Sequence, residues 1–189
     1  MRVEIHPSNF TKGRKNHRVI GVVIHIMQGT LKGTTSWFQN PASNVSSHAG
    51  VGKMGQVFEY VEYEDTAYHA GRINKPIWGK MKKRWGGYVN PNLYTYGIEC
   101  EGFRGDEWTE RQMASLTQQV RNVLDKAGLP YTRSNIVSHH EIAVDKEHME
   151  TWCDEVVKRL NVPIPVILKT EKQDVVNLLK QALELIKKL

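Results

Sequence analysis

One run, Val19-Ile20-Gly21-Val22-Val23-Ile24-His25-Ile26, constrains the fold of this 189-residue chain more than any other stretch. It is rich in β-branched residues, apolar on both faces, and stopped by Gln28-Gly29. That is the pattern of a strand covered on both sides, as in a parallel sheet flanked by helices. A histidine at the end of such a strand needs either a hydrogen-bond partner or a metal ion, because an imidazole taken out of water must be satisfied. The plain reading of His25 is a satisfied core histidine; the other is a ligand.

Two further stretches share its chemistry. Tyr94 to Glu101 returns to strand residues, with Ile98-Glu99-Cys100 at the end. A carboxylate embedded there has its pKa raised by desolvation, as a working acid or base requires; the alternative is an edge-strand glutamate facing water. The short apolar run Asn135-Ile136-Val137-Ser138 then leads into His139-His140-Glu141-Ile142-Ala143-Val144-Asp145-Lys146-Glu147-His148. Imidazoles at the end of a strand and at the close of the following loop can face one point in space, and zinc is their usual guest. A histidine-rich surface loop is the plain alternative.

Helices separate the strands. Thr34 or Thr35 can cap a short helix through Trp37 and Phe38 that ends before Pro41. His48-Ala49-Gly50-Val51 and Gln56 to Val61 read as a hairpin around Lys53-Met54-Gly55. Thr109 with Gln112 forms a capping box, and Gly128 with Pro130 ends that helix. Its stripe of Met113, Leu116, Val120, Val123, Leu124 and Ala127 is assigned to packing. A closing amphipathic helix turns Trp152, Val156 and Leu160 inward. Strands alternating with helices give an α/β sheet. His25, Glu99 and His139 then each fall at the C-terminal end of a strand, where such sheets usually carry their sites.

Between Gly71 and Asn92 the pattern dissolves into Gly, Pro, Lys and Arg with Trp78, Trp85 and Tyr88. Basic and aromatic residues together suit single-stranded nucleic acid, sugar rings or peptide; a solvated insertion is the plain reading. The net charge of +6 favours an anionic partner, whether nucleic acid, membrane surface or acidic cell wall. No zinc-finger spacing or basic recognition helix supports nucleic acid, which is therefore not expected as a partner. Two cysteines, Cys100 and Cys153, are too few for a disulfide framework and suit a reducing compartment. No apolar run is long enough to span a bilayer, and the first residues lack the apolar core of a secretory signal.

Pro163-Ile164-Pro165 reads as a hinge, dividing a domain over residues 1–162 from a tail over 163–189. In the tail Val175, Leu178, Ala182, Leu185 and Leu189 recur at three- and four-residue spacing on a lysine-bearing helix. Such a stripe cannot bury itself alone. Self-association into a homo-oligomer is the first expectation, fold-back onto the domain the second, and contact with a membrane or wall surface the third.

From Val19 to Leu160 the chain resembles the zinc-dependent N-acetylmuramoyl-L-alanine amidases of the phage-lysin and peptidoglycan-recognition type. Its landmarks are Val23-Ile24-His25, Ser47-His48, His69-Ala70-Gly71, Gly97-Ile98-Glu99, Trp108 to Gln112, and Ser138 to Ala143 running to Lys146-Glu147-His148. The resemblance implies a single mixed central β-sheet flanked by helices. It implies a zinc ion held by His25, His139 and His148, with Glu99 and Lys146 catalytic and His48 and His69 binding substrate. The third ligand of the family lies two residues beyond a lysine and is usually Asp or Cys; here that place holds His148, with Asp145 and His140 as fallbacks. Some members carry a tyrosine before the His48 position, where this chain has Ser47.

The implied reaction cuts peptidoglycan between N-acetylmuramic acid and L-alanine of the stem peptide. The implied setting is a phage or prophage endolysin, made in the host cytoplasm and acting at the wall after release. A muropeptide-recycling amidase of the bacterium is the alternative. A non-catalytic peptidoglycan receptor is disfavoured, because His25, Glu99 and His139 are all present.

Overall fold

The apolar run of residues 19–26 becomes an inner strand with parallel partners on both sides. The structure, a computed structural model, describes residues 1–162, so the expected tail lies outside the described residues. In chain order the elements are β1 (Phe10–Thr11), β2 (Gly21–Ile26), α1 (Leu31–Gln39), β3 (Ala49–Val51), β4 (Val57–Glu59) and β5 (Thr66–Ala67). They continue with β6 (Lys83–Arg84), β7 (Gly87–Tyr88), β8 (Thr95–Cys100), α2 (Glu110–Ala127), β9 (Ile136–Ser138) and α3 (Glu150–Asn161). The central sheet has the order β4-β3-β8-β2-β9 and is mixed, since only the β3–β4 hairpin is antiparallel. This is the α/β architecture the sequence pattern leads one to expect.

Residue alternation along the strands sorts the two faces. Val22 and Ile24 of β2 and Tyr96, Ile98 and Cys100 of β8 face α2 and α3 in one continuous core. Met113, Leu116, Val120 and Leu124 of α2 and Trp152, Cys153 and Val156 of α3 close over them. Each such side chain contributes about 1.5–3 kcal/mol on burial. Val23, Tyr94, Val137, Ala70, Trp78 and Ile142 form a separate core on the other face. His25 follows Val23 on that second face, and Glu99 follows Gly97, its neighbour in register. The sheet therefore turns both residues away from the large helices and toward α1 and the loops.

The helix ends differ from expectation in two places. Thr30, rather than Thr34 or Thr35, caps α1: its hydroxyl accepts the Gly33 N–H at 3.1 Å. Thr35 is already inside the helix, donating to the Leu31 carbonyl at 2.7 Å. Thr109 does cap α2 by accepting the Gln112 N–H, and Gly128 ends it in the left-handed conformation at φ 64°. The Gln112 side chain, however, does not return to Thr109. It donates to the Glu101 and Val51 carbonyls at 2.8 and 3.3 Å, fastening the helix to the sheet. Within the long 71–92 stretch, Trp78 is buried while Trp85 is fully exposed at the turn of the short β6–β7 hairpin.

Candidate active site

Strand register assembles the site. His25 lies level with Glu99 across the β2–β8 pair, and Ile24 lies level with Ser138 across β2–β9. His139, the next residue after Ser138, thereby arrives beside His25, with ring centroids 4.6 Å apart. A cavity of about 600 Å³ opens over these three residues. Its wall also includes His69, Asp145, Lys146 and Glu147 from the loops and Thr34 and Trp37 from α1.

His69 is closer to the centre than a general substrate-binding role requires. Its Nδ1 stands 3.0 Å from His25 Nε2, while its Nε2 lies 3.3 Å from the Thr95 hydroxyl. That hydroxyl donates to the Pro91 carbonyl at 2.7 Å, so it accepts from His69 Nε2–H and leaves Nδ1 as the bare nitrogen. The ring rests on Gly97, where any Cβ would collide with it. Glycine at this landmark position is thus a matter of space for an imidazole.

Burial sets the charge states. Glu99 is raised to about 7 by desolvation, with Lys146 opposing. Its strand is interior to the sheet, so the reading as an edge glutamate does not hold. His139 is lowered to about 4, chiefly by desolvation and then by Lys146. His25 and His69 are held well below the usual imidazole range, again by desolvation first and by neighbouring histidines next. All three rings are accordingly neutral at pH 7, the state that ligates a metal. His139 Nε2 is buried with no hydrogen-bond partner. A buried nitrogen of this kind costs about 1–3 kcal/mol if left unpaired, and a cation shared with His25 would satisfy it. The donor set fits a metal ion.

Two expected residues are elsewhere. His48 is fully buried and does not line the cavity. Its Nδ1 accepts the Gly97 N–H at 3.0 Å, and its Nε2 side faces the Arg14 guanidinium at 2.7 Å. It is a core histidine that fixes β8 beneath His69. His148 stands outside the cavity as well: its ring packs on His140 at 3.6 Å between centroids, and its Nδ1 lies 3.4 Å from a Glu150 oxygen. The loop after Lys146 turns the side chain outward, which removes it from the His25–His139 pair. Among the described residues, His140, His148 and Glu150 bring one donor atom each within 4.8 Å of one another.

Residues 15–155 match the family described as N-acetylmuramoyl-L-alanine amidase. The chain belongs to this amidase family. N-acetylmuramoyl-L-alanine amidase A of Achromobacter lyticus is 27% identical over 117 residues, covering 60% of this chain and 56% of that protein. The 1,6-anhydro-N-acetylmuramyl-L-alanine amidase AmpD of Haemophilus influenzae is 32% identical over 99 residues, covering 52% and 48%. The chain thus spans about half the length of these curated relatives. The solved amidase LysC of Clostridium intestinale superposes with a TM-score of 0.58 at 17% identity, over 86% of this chain and 98% of that one. A selenomethionine AmpD crystal structure gives 0.61 at 18% identity, over 82% and 92%. At these identities the structures establish a common amidase fold.

The buried imidazoles of this amidase domain predict acid sensitivity. His25, His48, His69 and His139 have folded pKa values below the unfolded value of 6.5. Their contribution to stability is present above that pH and lost as the pH falls. Glu99, raised above its unfolded 4.5, works in the opposite sense between 4.5 and about 7. Four imidazoles against one carboxyl leave a net uptake of two to three protons on unfolding near pH 5.5. Each is worth about 1.4 kcal/mol per pH unit. Chelator-treated protein should therefore lose stability steeply between pH 6.5 and 5. A urea midpoint that is flat across this range would contradict the assignment of neutral buried rings.

Proposed function

We propose that the chain hydrolyses the amide bond joining the lactyl group of N-acetylmuramic acid to L-alanine of the peptidoglycan stem peptide. The observation that carries this reading is the meeting of His25, Glu99 and His139 at the ends of three adjacent parallel strands, over one cavity. Membership of a family named for that reaction agrees with it. His25 and His139 would hold a zinc ion, and His69 Nδ1 lies 3.0 Å from His25 Nε2. When bound, zinc acidifies a water molecule and polarises the scissile carbonyl.

The chain's own groups supply the proton traffic. Glu99 as carboxylate takes a proton from the attacking water, and as acid returns it to the departing nitrogen. A pKa of about 7 serves both halves. Lys146, on the cavity wall, puts a positive charge where the tetrahedral oxyanion develops. Thr95 and Gly97 hold His69 in place from below. Free alanine amino groups should appear when purified peptidoglycan is digested, stop with a chelator, and return with added zinc. No release under any of these conditions removes the amidase reading.

We place the natural substrate in the polymeric wall, as for an endolysin made in the host cytoplasm and acting after release. The net charge of +6 suits an anionic wall. Relatives named for 1,6-anhydro-N-acetylmuramyl-L-alanine supply the competing substrate. Faster release from whole sacculi than from soluble 1,6-anhydromuropeptides supports the endolysin role; the reverse order replaces it with recycling.

Trp37 bears on substrate binding. It is 52% exposed and lines the cavity from α1, an indole open to a sugar face. If the contact is comparable to an aromatic pair, it contributes about 0.5–1.5 kcal/mol. Trp37→Ala should raise KM roughly 3- to 10-fold with little change in kcat, read from initial rates on a soluble muropeptide.

A further inference from the structure

We propose that the β6–β7 hairpin, with Trp85 at its tip and Lys83 and Arg84 on its arm, docks on an anionic lipid surface at the edge of the domain opposite the cavity. The segment that carries it runs from one edge of the sheet to the other. It leaves the catalytic edge with Arg72 paired to Asp145 at 2.6 Å and Asn74 bridged to Ala143. Trp78 then lies against Gly21, the first residue of β2, where a Cβ would stand 2.9 Å from the indole. Its Nε1–H donates to the Ser134 carbonyl at 2.9 Å, shortly before β9. The Lys82 N–H donates to the Tyr94 hydroxyl at 3.3 Å, immediately before β8. These contacts place the hairpin at the N-terminal ends of the parallel strands, whereas His25, Glu99 and His139 lie at their C-terminal ends. A six-residue strand separates the two edges by roughly 15–20 Å.

The hairpin presents its tip to solvent. Lys83 and Arg84 pair with Tyr88 and Gly87, leaving Trp85-Gly86 as a two-residue turn with Gly86 at φ 76°. Trp85 is fully exposed, and the space beside Gly86 and Gly87 is empty out to 4 Å. The charge around it is of one sign. Residues 71–92 hold six of the 26 lysines and arginines and none of the 20 acidic residues; residues 11–20 hold four and none. Lys82 Nζ lies 3.3 Å from His17 Nδ1, which joins the two stretches into one surface. Lys15, Arg18, Lys83 and Arg84 are exposed and make no ion pair among the described residues.

An indole beside unpaired cations matches the headgroup layer of a bilayer, where the ring gains apolar contacts and the cations meet lipid phosphates. A sugar needs acceptors for its hydroxyls, and residues 82–89 hold no carboxylate or side-chain amide. Single-stranded nucleic acid needs successive stacking rings along a groove, and this tip offers a single projecting one. Docking at this edge turns the cavity away from the bilayer and leaves it open to polymer. That use of the contact rests on the amidase reading; the lipid contact itself does not.

The test measures co-sedimentation of the full chain with phosphatidylglycerol vesicles and with phosphatidylcholine vesicles, together with tryptophan emission. Binding is expected to the anionic vesicles alone, to weaken as salt is raised, and to shift the emission to the blue. Lys83→Gln and Arg84→Gln should each weaken it about 5-fold, the effect of one cation at such a surface. Trp85→Ala should weaken it as well and remove the blue shift. All three changes are at exposed positions, and thermal melts matching the parent protein establish that the fold is kept. Binding that all three variants keep at full strength overturns the proposal, since another part of the chain then carries it. So does an absence of vesicle binding, including the case in which the same variants lose binding to phosphate-bearing wall fragments and the partner is the wall polymer. Alanine release from a soluble muropeptide should be unchanged in all three variants. Its absence in the parent protein would remove the amidase reading and leave the lipid contact standing.

Discussion

Glu99→Gln should lower turnover of the muramoyl amide roughly 10²- to 10⁴-fold, the usual contribution of a positioned acid–base group. Glutamine keeps the shape and the strand pairing of β8 but can neither accept the water proton nor return it. KM and metal content should stay near their original values, because Glu99 is opposite His25 in register yet is not itself one of the buried imidazoles. The removal of a carboxyl whose ionisation burial opposes should leave the melting temperature unchanged or slightly higher. Steady-state kinetics with metal analysis on the same preparation checks all three. Near-normal turnover would mean that another group handles the proton.

Arg14→Met should be among the most destabilising single changes in the domain, at about 3–5 kcal/mol or about 10–15 °C in Tm. The Arg14 guanidinium is buried, and desolvation lowers its pKa to about 10. It donates to the carbonyls of Tyr63 at 2.8 Å and Thr95 at 3.0 Å, with longer bonds to Asn92 and Leu93. It also sits against His48, which in turn fixes the Gly97 N–H. Methionine fills the volume but strands those carbonyls inside the protein. Loss of His69 placement should follow, so activity falls at temperatures below the melt. A Tm within 3 °C of the original would show that water reaches these carbonyls and that the guanidinium is dispensable.

The parts of the site legible from sequence are those that strand pattern controls. His25, Glu99 and His139 each end an apolar run, and parallel pairing does the rest. Thr109 and Gly128 were equally readable, because cap chemistry is local. Residues whose setting depends on distant partners were not. His48 looks like a site histidine in the chain, yet its surroundings are decided by Arg14, 34 residues earlier. His69 carried a general substrate-binding expectation; its position against His25 depends on space left by Gly97, which no local pattern reveals. The placement of His148 was not legible for another reason. Spacing shows how far a loop can reach but not which way its last side chain turns, and here the His140 ring and Glu150 turn it outward.

The sheet order has a consequence for how this molecule comes into being. Val23 sits between Gly97 and Val137, so the segments that must meet lie far apart along the chain. Parallel pairing of distant strands requires loop closure before any contact rewards it, which makes folding slow relative to helical domains of the same size. A nascent chain that has emerged through β8 would own His25 and Glu99 but not His139. The cluster of His25, Glu99 and His139 is therefore complete only after β9 docks at the sheet edge, and a chain that stops short of β9 lacks His139.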